Sequence, residues 1–234
     1  MDKYLLSLLV PCYNERDTIE TILKKVMAVN LPEDTAKEII IVDDGSFDGT
    51  KEILTAYETK QGCQVFYHKR NRGKGAALRT AFARAKGDFV LVQDADLEYD
   101  PGEIPKMLNA LLRSGKRTAI YGSRRIEQNR ASSSLYRFGA LLITKFFNLV
   151  FRQNLTDLYT CYKMFPREAL REITLKEDDF SFDAEITCQL VKNGYQIKEV
   201  AISYCPRSFA EGKKIRWWHG LKAVFTILKQ RFSR

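Results

Sequence analysis

Short apolar runs alternate with segments of helical periodicity through the first half of the chain. The runs that read as strands are Leu5–Val10, Glu38–Val42, Gln64–His68, Phe89–Val92 and Thr118–Tyr121. The helical patterns between them cover Thr18–Val29, Gly49–Gln61, Ala76–Lys86 and Pro101–Ser114. Strand–helix alternation at this spacing predicts βαβ units. We therefore expect an α/β fold with a mostly parallel sheet covered by helices on both faces.

The second half of the chain is less regular. It predicts a mainly apolar helix at Leu135–Phe151, a strand at Tyr162–Phe165, a helix at Asp183–Asn193, an extended stretch at Gln196–Tyr204 and a final helix at Ile215–Phe232. No run of 18 uncharged apolar residues occurs, so we expect no membrane span. The first apolar run has no small-residue cleavage site after it, which favours a first strand over a signal peptide.

The last predicted helix is basic and amphipathic. On helical spacing its apolar stripe consists of Ile215, Trp218, Leu221, Val224, Phe225, Leu228 and Phe232. Residues 213–234 contain seven Lys or Arg and no acid. This profile is typical of a helix lying in a membrane interface, although a helix packed on a protein core shows a similar stripe. We expect a division into residues 1–212 and a membrane-interfacial segment at 213–234.

Composition narrows the class of protein. The chain has 234 residues, 45% of them hydrophobic, which is enough for a sizeable core. The net charge of +9 favours an anionic partner, and basic residues cluster at 213–234 and at 113–137, where seven Lys or Arg stand against one acid. A solvated positive surface is an equally good explanation of either cluster. The five cysteines are scattered and form no CxxC pair, so we expect neither a zinc site nor a disulfide framework. Unpaired cysteines of this kind favour a cytoplasmic location.

Carboxylates cluster directly after the predicted strand at Phe89–Val92. Asp100, followed by Pro101, is explained as a helix cap, but Asp94, Asp96 and Glu98 are not. An extended chain would turn these three alternating side chains the same way. Oxygen ligands arranged so are what a hard divalent cation requires, which predicts Mg²⁺ or Mn²⁺ here.

Other strand ends carry related chemistry. The first strand runs into Pro11–Glu15, the second into Asp43–Thr50, and the third leads to the basic loop Lys69–Ala77. Because ligands bind beyond the carboxyl ends of parallel strands, these segments should converge. This mixture of groups suits a nucleotide-sugar. Carboxylates accept hydrogen bonds from the ribose hydroxyls, a cation binds the diphosphate, and Lys or Arg neutralise the charge that remains.

Local explanations for parts of this pattern stay open. Asp48 could cap the next helix, and Gly73 and Gly75 could be turn glycines. The loop lacks the spacing of an NTPase P-loop, and no GxGxxG motif indicates a dinucleotide fold.

In order along the chain stand the motifs VPCYNE, IIIVDDGSFDGT, NRGKGAAL and DADLEYDP, then GSRR, TDLYTCYKMF, FSFDAEIT and YCPRSFAEGKKI. With these motifs the chain resembles the family 2 inverting glycosyltransferases of GT-A fold, over about residues 4 to 220. Within that family it is most similar to dolichyl-phosphate mannose synthases and bacterial polyprenyl-phosphate glycosyltransferases. The resemblance implies transfer of a hexose from a GDP-mannose or UDP-glucose type donor to a lipid phosphate.

The resemblance also implies a set of site residues. Those that would bind the nucleotide-sugar are Pro11, Tyr13, Glu15, Asp43, Asp44, Lys74, Asp94, Ala95, Asp96, Arg124, Arg207 and Lys213. Asp96 would bind the metal, with Glu98 as a second ligand where many relatives carry Gln. Asp96, Asp157 and Arg124 would form the catalytic group, with Asp157 as base or as the residue that positions the acceptor.

The identity of the acceptor decides whether a base is needed. A lipid phosphate is already largely dianionic at neutral pH, whereas a sugar hydroxyl needs a carboxylate base. Asp183 and Glu185 are further candidates for that base, although both could simply favour a helix N-terminus. We expect a nucleotide-sugar donor, a lipid-phosphate acceptor and peripheral contact with an anionic membrane at its cytoplasmic face, and no nucleic acid partner. The alternatives are a glycan or small-molecule acceptor, or an inactive basic protein that binds membrane or nucleic acid.

Overall fold

The computed structural model describes residues 3–126, 134–207 and 217–233, and these residues build one seven-stranded sheet flanked by helices. The strands are β1 (Tyr4–Cys12), β2 (Thr35–Asp43), β3 (Cys63–Tyr67), β4 (Phe89–Val92), β5 (Thr118–Ser123), β6 (Lys163–Pro166) and β7 (Gln196–Ala201). The helices are α1 (Ile19–Ala28), α2 (Thr50–Thr55), α3 (Lys74–Phe82), α4 (Ile104–Leu112), α5 (Ser134–Phe151), α6 (Ala169–Glu172), α7 (Phe182–Lys192) and α8 (Trp217–Phe232).

The strand order in the sheet is β3-β2-β1-β4-β6-β5-β7. All neighbouring pairs are parallel except those of β6, which runs antiparallel to both β4 and β5. The expectation of a mostly parallel α/β sheet is therefore confirmed. The chain winds outward from β1 through β2 to β3 and then returns to β4 on the other side of β1. This reversal opens a crevice at the carboxyl ends of β1 and β4, where sheets of this kind bind ligands.

The core lies on both faces of the sheet because successive strand residues point to opposite sides. Along β1, Leu6, Leu8 and Val10 pack on one face with α1 and α4. Leu9 faces the other side, where it packs with Leu78 of α3 and other residues. Strands buried on both faces read as continuous apolar runs, which explains why the sequence pattern identified them.

Several element boundaries differ from the predicted ones, and helix ends give clear examples. Helix α2 ends at Thr55 rather than at Gln61, and α3 begins at Lys74 rather than at Ala76. Helix α6, of four residues, was not predicted. Asp100 does cap the turn that precedes α4: its carboxylate accepts a hydrogen bond from the Gly102 amide at 3.1 Å. Among the described helices, none combines the length and the apolar character needed to cross a bilayer.

Helix α8 packs on α5 and α7, but not through the predicted apolar stripe. Its buried side chains are Ala223, Thr226, Ile227 and Gln230. Gln230 bonds to Gln189 and Glu185 of α7, which explains how a polar residue is accommodated there. The alternative explanation of the stripe, that it packs on the core of the protein, does not hold for Leu221, Phe225, Leu228 and Phe232, which are all exposed. The division of the chain at residue 212 stays a prediction.

Candidate active site

The loops that follow β1 and β2 form one wall of the crevice and are joined by hydrogen bonds. The Asn14 amide donates to Ser46 Oγ at 2.9 Å, and the Asn14 side chain accepts from the Phe47 amide at 3.0 Å. Tyr13 lies half-buried on this wall, with its ring edge-on to exposed Phe47 at 6.2 Å. Pro11 lies buried in β1 opposite Val42, so its part is to shape the strand end.

Asp43 and Asp44 are almost completely buried and fix the backbone of adjacent loops. The Asp43 carboxylate accepts from the backbone amide and the hydroxyl of Ser46. Asp44 accepts from the Arg72 and Gly73 amides, at 3.0 and 2.7 Å, and lies 2.6 Å from His68 Nδ1. Asp44 therefore holds the basic loop at the crevice, while direct nucleoside contact by either residue stays a prediction.

The two glycines of the basic loop permit a close backbone approach. A Cβ at Gly73, where φ is 98°, would lie 2.3 Å from the Asp178 carbonyl oxygen. A Cβ at Gly75 would lie 2.1 Å from the Glu177 carbonyl oxygen. The turn explanation thus holds for Gly73, which precedes α3 with a positive φ, but not for Gly75, which lies within α3. Both glycines let residues 177–178 pack against α3. Asp48 accepts from the Thr50 amide at 3.0 Å, as a residue at a helix start does.

Asp94 forms a shielded ion pair with Lys74 at the start of α3. Lys74 Nζ lies 2.7 Å from Asp94 Oδ1 and 2.9 Å from Cys161 Sγ. Burial acts against both charges, but their mutual attraction outweighs it: it lowers the pKa of Asp94 and raises that of Lys74 well above its usual range. Ala95, next in the chain, is buried.

The extended arrangement expected for Asp94, Asp96 and Glu98 does not occur. Strand β4 ends at Val92, and the chain bends from Ala95 to Glu98, where the Glu98 amide donates to Asp96 Oδ1 at 3.0 Å. Asp94 consequently pairs with Lys74, while Asp96 and Glu98 face Arg207. The physical reason is that the β4 ladder stops before the motif, so nothing enforces a pleat there.

Arg207 lies among three carboxylates. Its Nη1 lies 2.9 Å from Glu15 Oε2, its Nη2 lies 2.7 Å from Asp96 Oδ2, and its Nε lies 3.7 Å from Glu98 Oε1. Nε itself is buried and has no hydrogen-bond partner among the described residues. Burial, together with the charges of Asp94 and Glu98, raises the pKa of Asp96 to about 7, against the opposing effect of Arg207. Among the described residues, this one guanidinium thus lies between three carboxylates.

This donor set suits a divalent cation that also binds phosphate. Within the described residues no group of three or more histidine, cysteine or carboxylate side chains has the geometry to hold a metal ion by itself. Mg²⁺, however, is usually held by one or two carboxylates together with substrate phosphates. Asp96, with Glu98 as its neighbour, offers oxygen ligands of that kind.

Glu98 also holds the chain segment that carries Arg207. Its carboxylate accepts from Tyr204 Oη at 2.6 Å and from the Arg207 amide at 2.9 Å. Its carbonyl oxygen accepts from the Cys205 amide at 2.9 Å. Glu98 therefore positions Arg207 over the crevice, and its assignment as a metal ligand stays a prediction.

Arg124 and Asp157 form a buried bidentate pair. Arg124 Nε donates to Asp157 Oδ2 at 2.6 Å, and Nη2 donates to Oδ1 at 2.8 Å. The guanidinium also lies 4.9 Å from the centre of the Tyr204 ring. Burial acts to raise the pKa of Asp157, but the adjacent Arg124 more than offsets this and holds it below its ordinary value. Asp157 is thus a fixed carboxylate whose two oxygens both bind one guanidinium.

The two further base candidates have structural partners. Asp183 lies 3.0 Å from Lys163 Nζ in a buried ion pair. Glu185 accepts from the Lys176 and Glu177 amides, each at 2.9 Å, and from Gln230. Asp183 therefore joins α7 to β6, and Glu185 holds the loop before α7 and the α7–α8 contact.

Two contributors to the site were not found from the sequence. Tyr204 joins Glu98 to Arg124, and its place three residues before Arg207 in a conspicuous motif was the available signal. Glu199 of β7 accepts from the Thr156 and Asp157 amides, at 2.7 and 2.9 Å, and so fixes Asp157. An acid on a strand at the sheet edge carries no comparable signal. Lys213 lies outside the described residues.

The fold is of the GT-A class. The structure resembles that of glucosyl-3-phosphoglycerate synthase from Mycobacterium tuberculosis, solved with Mn²⁺, uridine diphosphate and glucosyl-3-phosphoglycerate, with a TM-score of 0.76. The likeness covers 97% of this chain and 80% of that one at 18% identity, so it bears on the fold alone.

The family follows from the sequence comparison. Residues 7–174 match the model of glycosyl transferase family 2, and the chain belongs to that family. It is 31% identical over 232 residues to an uncharacterised protein of Methanocaldococcus jannaschii, covering 95% of this chain and 90% of that one.

Two other relatives have named activities. The undecaprenyl-phosphate 4-deoxy-4-formamido-L-arabinose transferase of Pseudomonas paraeruginosa is 35% identical over 141 residues, which are 59% of this chain and 40% of that protein. Glycosyltransferase AglJ of Haloferax volcanii is 28% identical over 202 residues, 86% of this chain and 63% of that one. The chain thus spans about half the length of these two relatives.

Proposed function

We propose that this glycosyltransferase moves a hexose from a nucleotide-sugar to a polyprenyl phosphate, with inversion at the anomeric carbon. The proposal rests on one observation: Glu15, Asp96, Glu98 and Arg207 lie together in the crevice at the carboxyl ends of β1 and β4. The Arg124–Asp157 pair is joined to this group through Tyr204. The relative from Pseudomonas paraeruginosa, whose name specifies an undecaprenyl-phosphate substrate, supports the choice of acceptor.

The donor would lie across the carboxyl ends of β1, β2 and β4. The wall made by Tyr13, Asp43 and Asp44 would take the nucleoside, and the Asp94–Lys74 pair would face the sugar side. Asp96, with Glu98, would hold Mg²⁺ or Mn²⁺ on the diphosphate; when bound, the ion neutralises charge that develops on the leaving nucleotide. The structurally similar glucosyl-3-phosphoglycerate synthase was solved with Mn²⁺, which supports this choice of metal.

The arginines supply the remaining positive charge. A guanidinium binds phosphate through two parallel hydrogen bonds, so Arg124 and Arg207 suit the phosphates of donor and acceptor. Asp157 acts on Arg124: it holds the guanidinium against the Tyr204 ring and so fixes its orientation. Because both Asp157 oxygens bind Arg124, we assign Asp157 a positioning role rather than that of a base.

A phosphate acceptor is consistent with this arrangement because it needs no base. Its second pKa is about 6, so at neutral pH an oxygen is already ionised and can attack the anomeric carbon directly. In that step the new bond joins the acceptor oxygen to the anomeric carbon. The bond to the nucleotide diphosphate breaks, and its electron pair leaves with the diphosphate. We place the enzyme at the cytoplasmic face of the membrane, where such an acceptor would be reached.

The test is a transfer assay with radiolabelled UDP- and GDP-hexoses, Mn²⁺ or Mg²⁺, and a polyprenyl phosphate, followed by extraction into organic solvent. We expect label in the organic phase with at least one donor and only when the metal and the lipid phosphate are both present. Transfer of the label to a water-soluble glycan or small-molecule hydroxyl instead would show that the acceptor is not a lipid phosphate. Absence of transfer to any acceptor, with no nucleotide binding, would contradict the enzymatic proposal.

A further inference from the structure

Helix α8 presents its most apolar face away from the protein. Leu221, Phe225, Leu228 and Phe232 recur at intervals of four, three and four residues, so they lie along one side of the helix. All four are exposed, Phe225 to 68% and Phe232 to 81%. Side chains of this size are normally buried when they form a continuous stripe. The stripe therefore needs a partner other than the core of this chain.

The side of α8 that does pack on the protein is less apolar. It consists of Ala223, Thr226, Ile227 and Gln230, and it lies against α5 and α7. Near its start the helix passes so close to α5 that a Cβ on Gly220 would lie 3.3 Å from Ile143 Cδ1. The orientation of α8 is thus fixed by specific contacts, and the outward direction of the stripe follows from them.

The neighbouring helix α5 also exposes large apolar side chains. Phe138, Leu142 and Leu149 recur at intervals of four and seven residues and are all exposed, Leu149 to 78%. Helices α5 and α8 pack against each other. We call the seven residues of the two stripes the α5–α8 apolar surface.

The charges around this surface select the partner. Residues 128–156 and 213–234, which include both helices, contain no Asp or Glu. Exposed Lys222 and Lys229 flank the α8 stripe and reach Asp179 at 2.7 Å and Glu177 at 3.2 Å, while Lys145 of α5 is exposed. Solvent-exposed ion pairs of this kind are weak, so an anionic surface can compete for the lysines. A second copy of the chain would bring like charges together.

We infer that the α5–α8 apolar surface docks on an anionic lipid bilayer, with its Leu and Phe side chains inserted at the level of the headgroups and its lysines on the lipid phosphates. Outward aromatic and aliphatic residues flanked by cations are typical of interfacial helices. The purpose of the contact rests on the proposed lipid-phosphate acceptor, but docking itself requires neither donor nor acceptor. Vesicle binding and sugar transfer can therefore succeed or fail separately.

The experiment is co-sedimentation of the full chain with vesicles of phosphatidylcholine alone or mixed with phosphatidylglycerol, without nucleotide. The test variant is Phe225→Ser/Phe232→Ser, and the matched control is Phe47→Ser, whose side chain is also 81% exposed but lies on the loop after β2. A second pair compares Lys145→Gln with Lys25→Gln, an exposed lysine on α1. Urea unfolding of every variant checks that the fold is retained.

We expect binding to mixed vesicles that weakens with salt. The double Phe variant should lose at least about tenfold in partitioning, because two Phe side chains that are half-buried among the headgroups together contribute about as much as one fully buried Phe. The Phe47 and Lys25 controls should bind like wild type, and Lys145→Gln should bind less. Equal binding of the double variant and wild type would overturn the inference. So would concentration-dependent dimers abolished by the same substitutions, since the surface would then join two copies.

Discussion

Replacing Arg207 by alanine should strengthen the binding of a divalent cation in the absence of nucleotide. The guanidinium lies 2.7 Å from Asp96, 2.9 Å from Glu15 and 3.7 Å from Glu98, so it occupies the position between the carboxylates that a cation would share. Any ion that reaches Asp96 must therefore compete with it.

The size of the effect follows from the charge removed. Two unit charges 4 Å apart interact by about 1 kcal/mol in water and about 4 kcal/mol near a protein surface. The Arg207 side chain is 18% exposed, so solvent screening keeps its repulsion of a divalent ion toward the lower part of that range. A gain of about 1.5 to 3 kcal/mol corresponds to roughly a 10- to 150-fold tighter metal site.

The assay is Mn²⁺ titration followed by electron paramagnetic resonance at about pH 8, where wild-type Asp96, with its pKa of about 7, is mostly ionised. Because Arg207 acts to lower that pKa, its removal raises the pKa of Asp96, so both proteins are also titrated at a higher pH at which Asp96 is ionised in each. Arg207→Lys retains the charge and should bind Mn²⁺ like wild type. Arg117→Ala, which removes another arginine paired with a carboxylate, should have no effect. Affinity for a nucleoside diphosphate with Mn²⁺ should fall in Arg207→Ala, opposite to the change for Mn²⁺ alone. Unchanged or weaker Mn²⁺ binding in Arg207→Ala would refute the reasoning.

Two further predictions concern stability, measured by urea unfolding. Asp157→Asn leaves the Arg124 guanidinium without its counter-charge and should lower the free energy of unfolding at neutral pH by about 3 kcal/mol. Because the native pKa of Asp157 is lowered, its contribution is complete above the ordinary value of 3.8 and is lost as the pH falls through the native value, so the gap to wild type should narrow below pH 3.8. A gap that widens in acid would show that the pair is not ionised. Gly75→Ala places a Cβ 2.1 Å from the Glu177 carbonyl oxygen and should cost about 2 kcal/mol or more, whereas Gly139→Ala, with no atom within 4 Å, should be neutral or stabilising. Equal effects of the two alanines would contradict the close approach.

The sequence predicted the sheet well because its strands are buried on both faces. Runs such as Ile39–Val42 admit few other structures, and the β4 boundaries agree at both ends. Helix ends were less predictable: α2 stops early at Thr55, and α3 begins two residues before the predicted start. These ends depend on contacts with distant segments, such as the Asp178 carbonyl that accepts from the Gly75 amide at 2.7 Å.

The residues that make up the site could be predicted from the sequence, but the ion pairs that they form with one another could not. The acids after β4 do gather at the crevice, yet Asp94 pairs with Lys74, and Asp96 pairs with a residue 111 positions away. The direction in which the apolar stripe of α8 points could not be predicted either, because helical periodicity identifies the stripe but not what it contacts. Only the packing of Ala223 and Gln230 shows that the stripe is turned outward.

The central claim is that the acids in the crevice at the carboxyl ends of β1 and β4 bind a divalent cation, and that this cation binds the diphosphate of a nucleotide-sugar. Isothermal titration of UDP and GDP into wild type and Asp96→Asn, with and without Mn²⁺, tests it most directly. We predict that one nucleotide binds wild type in a Mn²⁺-dependent manner and that Asp96→Asn, folded normally, loses about a hundredfold or more of that affinity. Mn²⁺-dependent binding that is equal in the two proteins would contradict the claim.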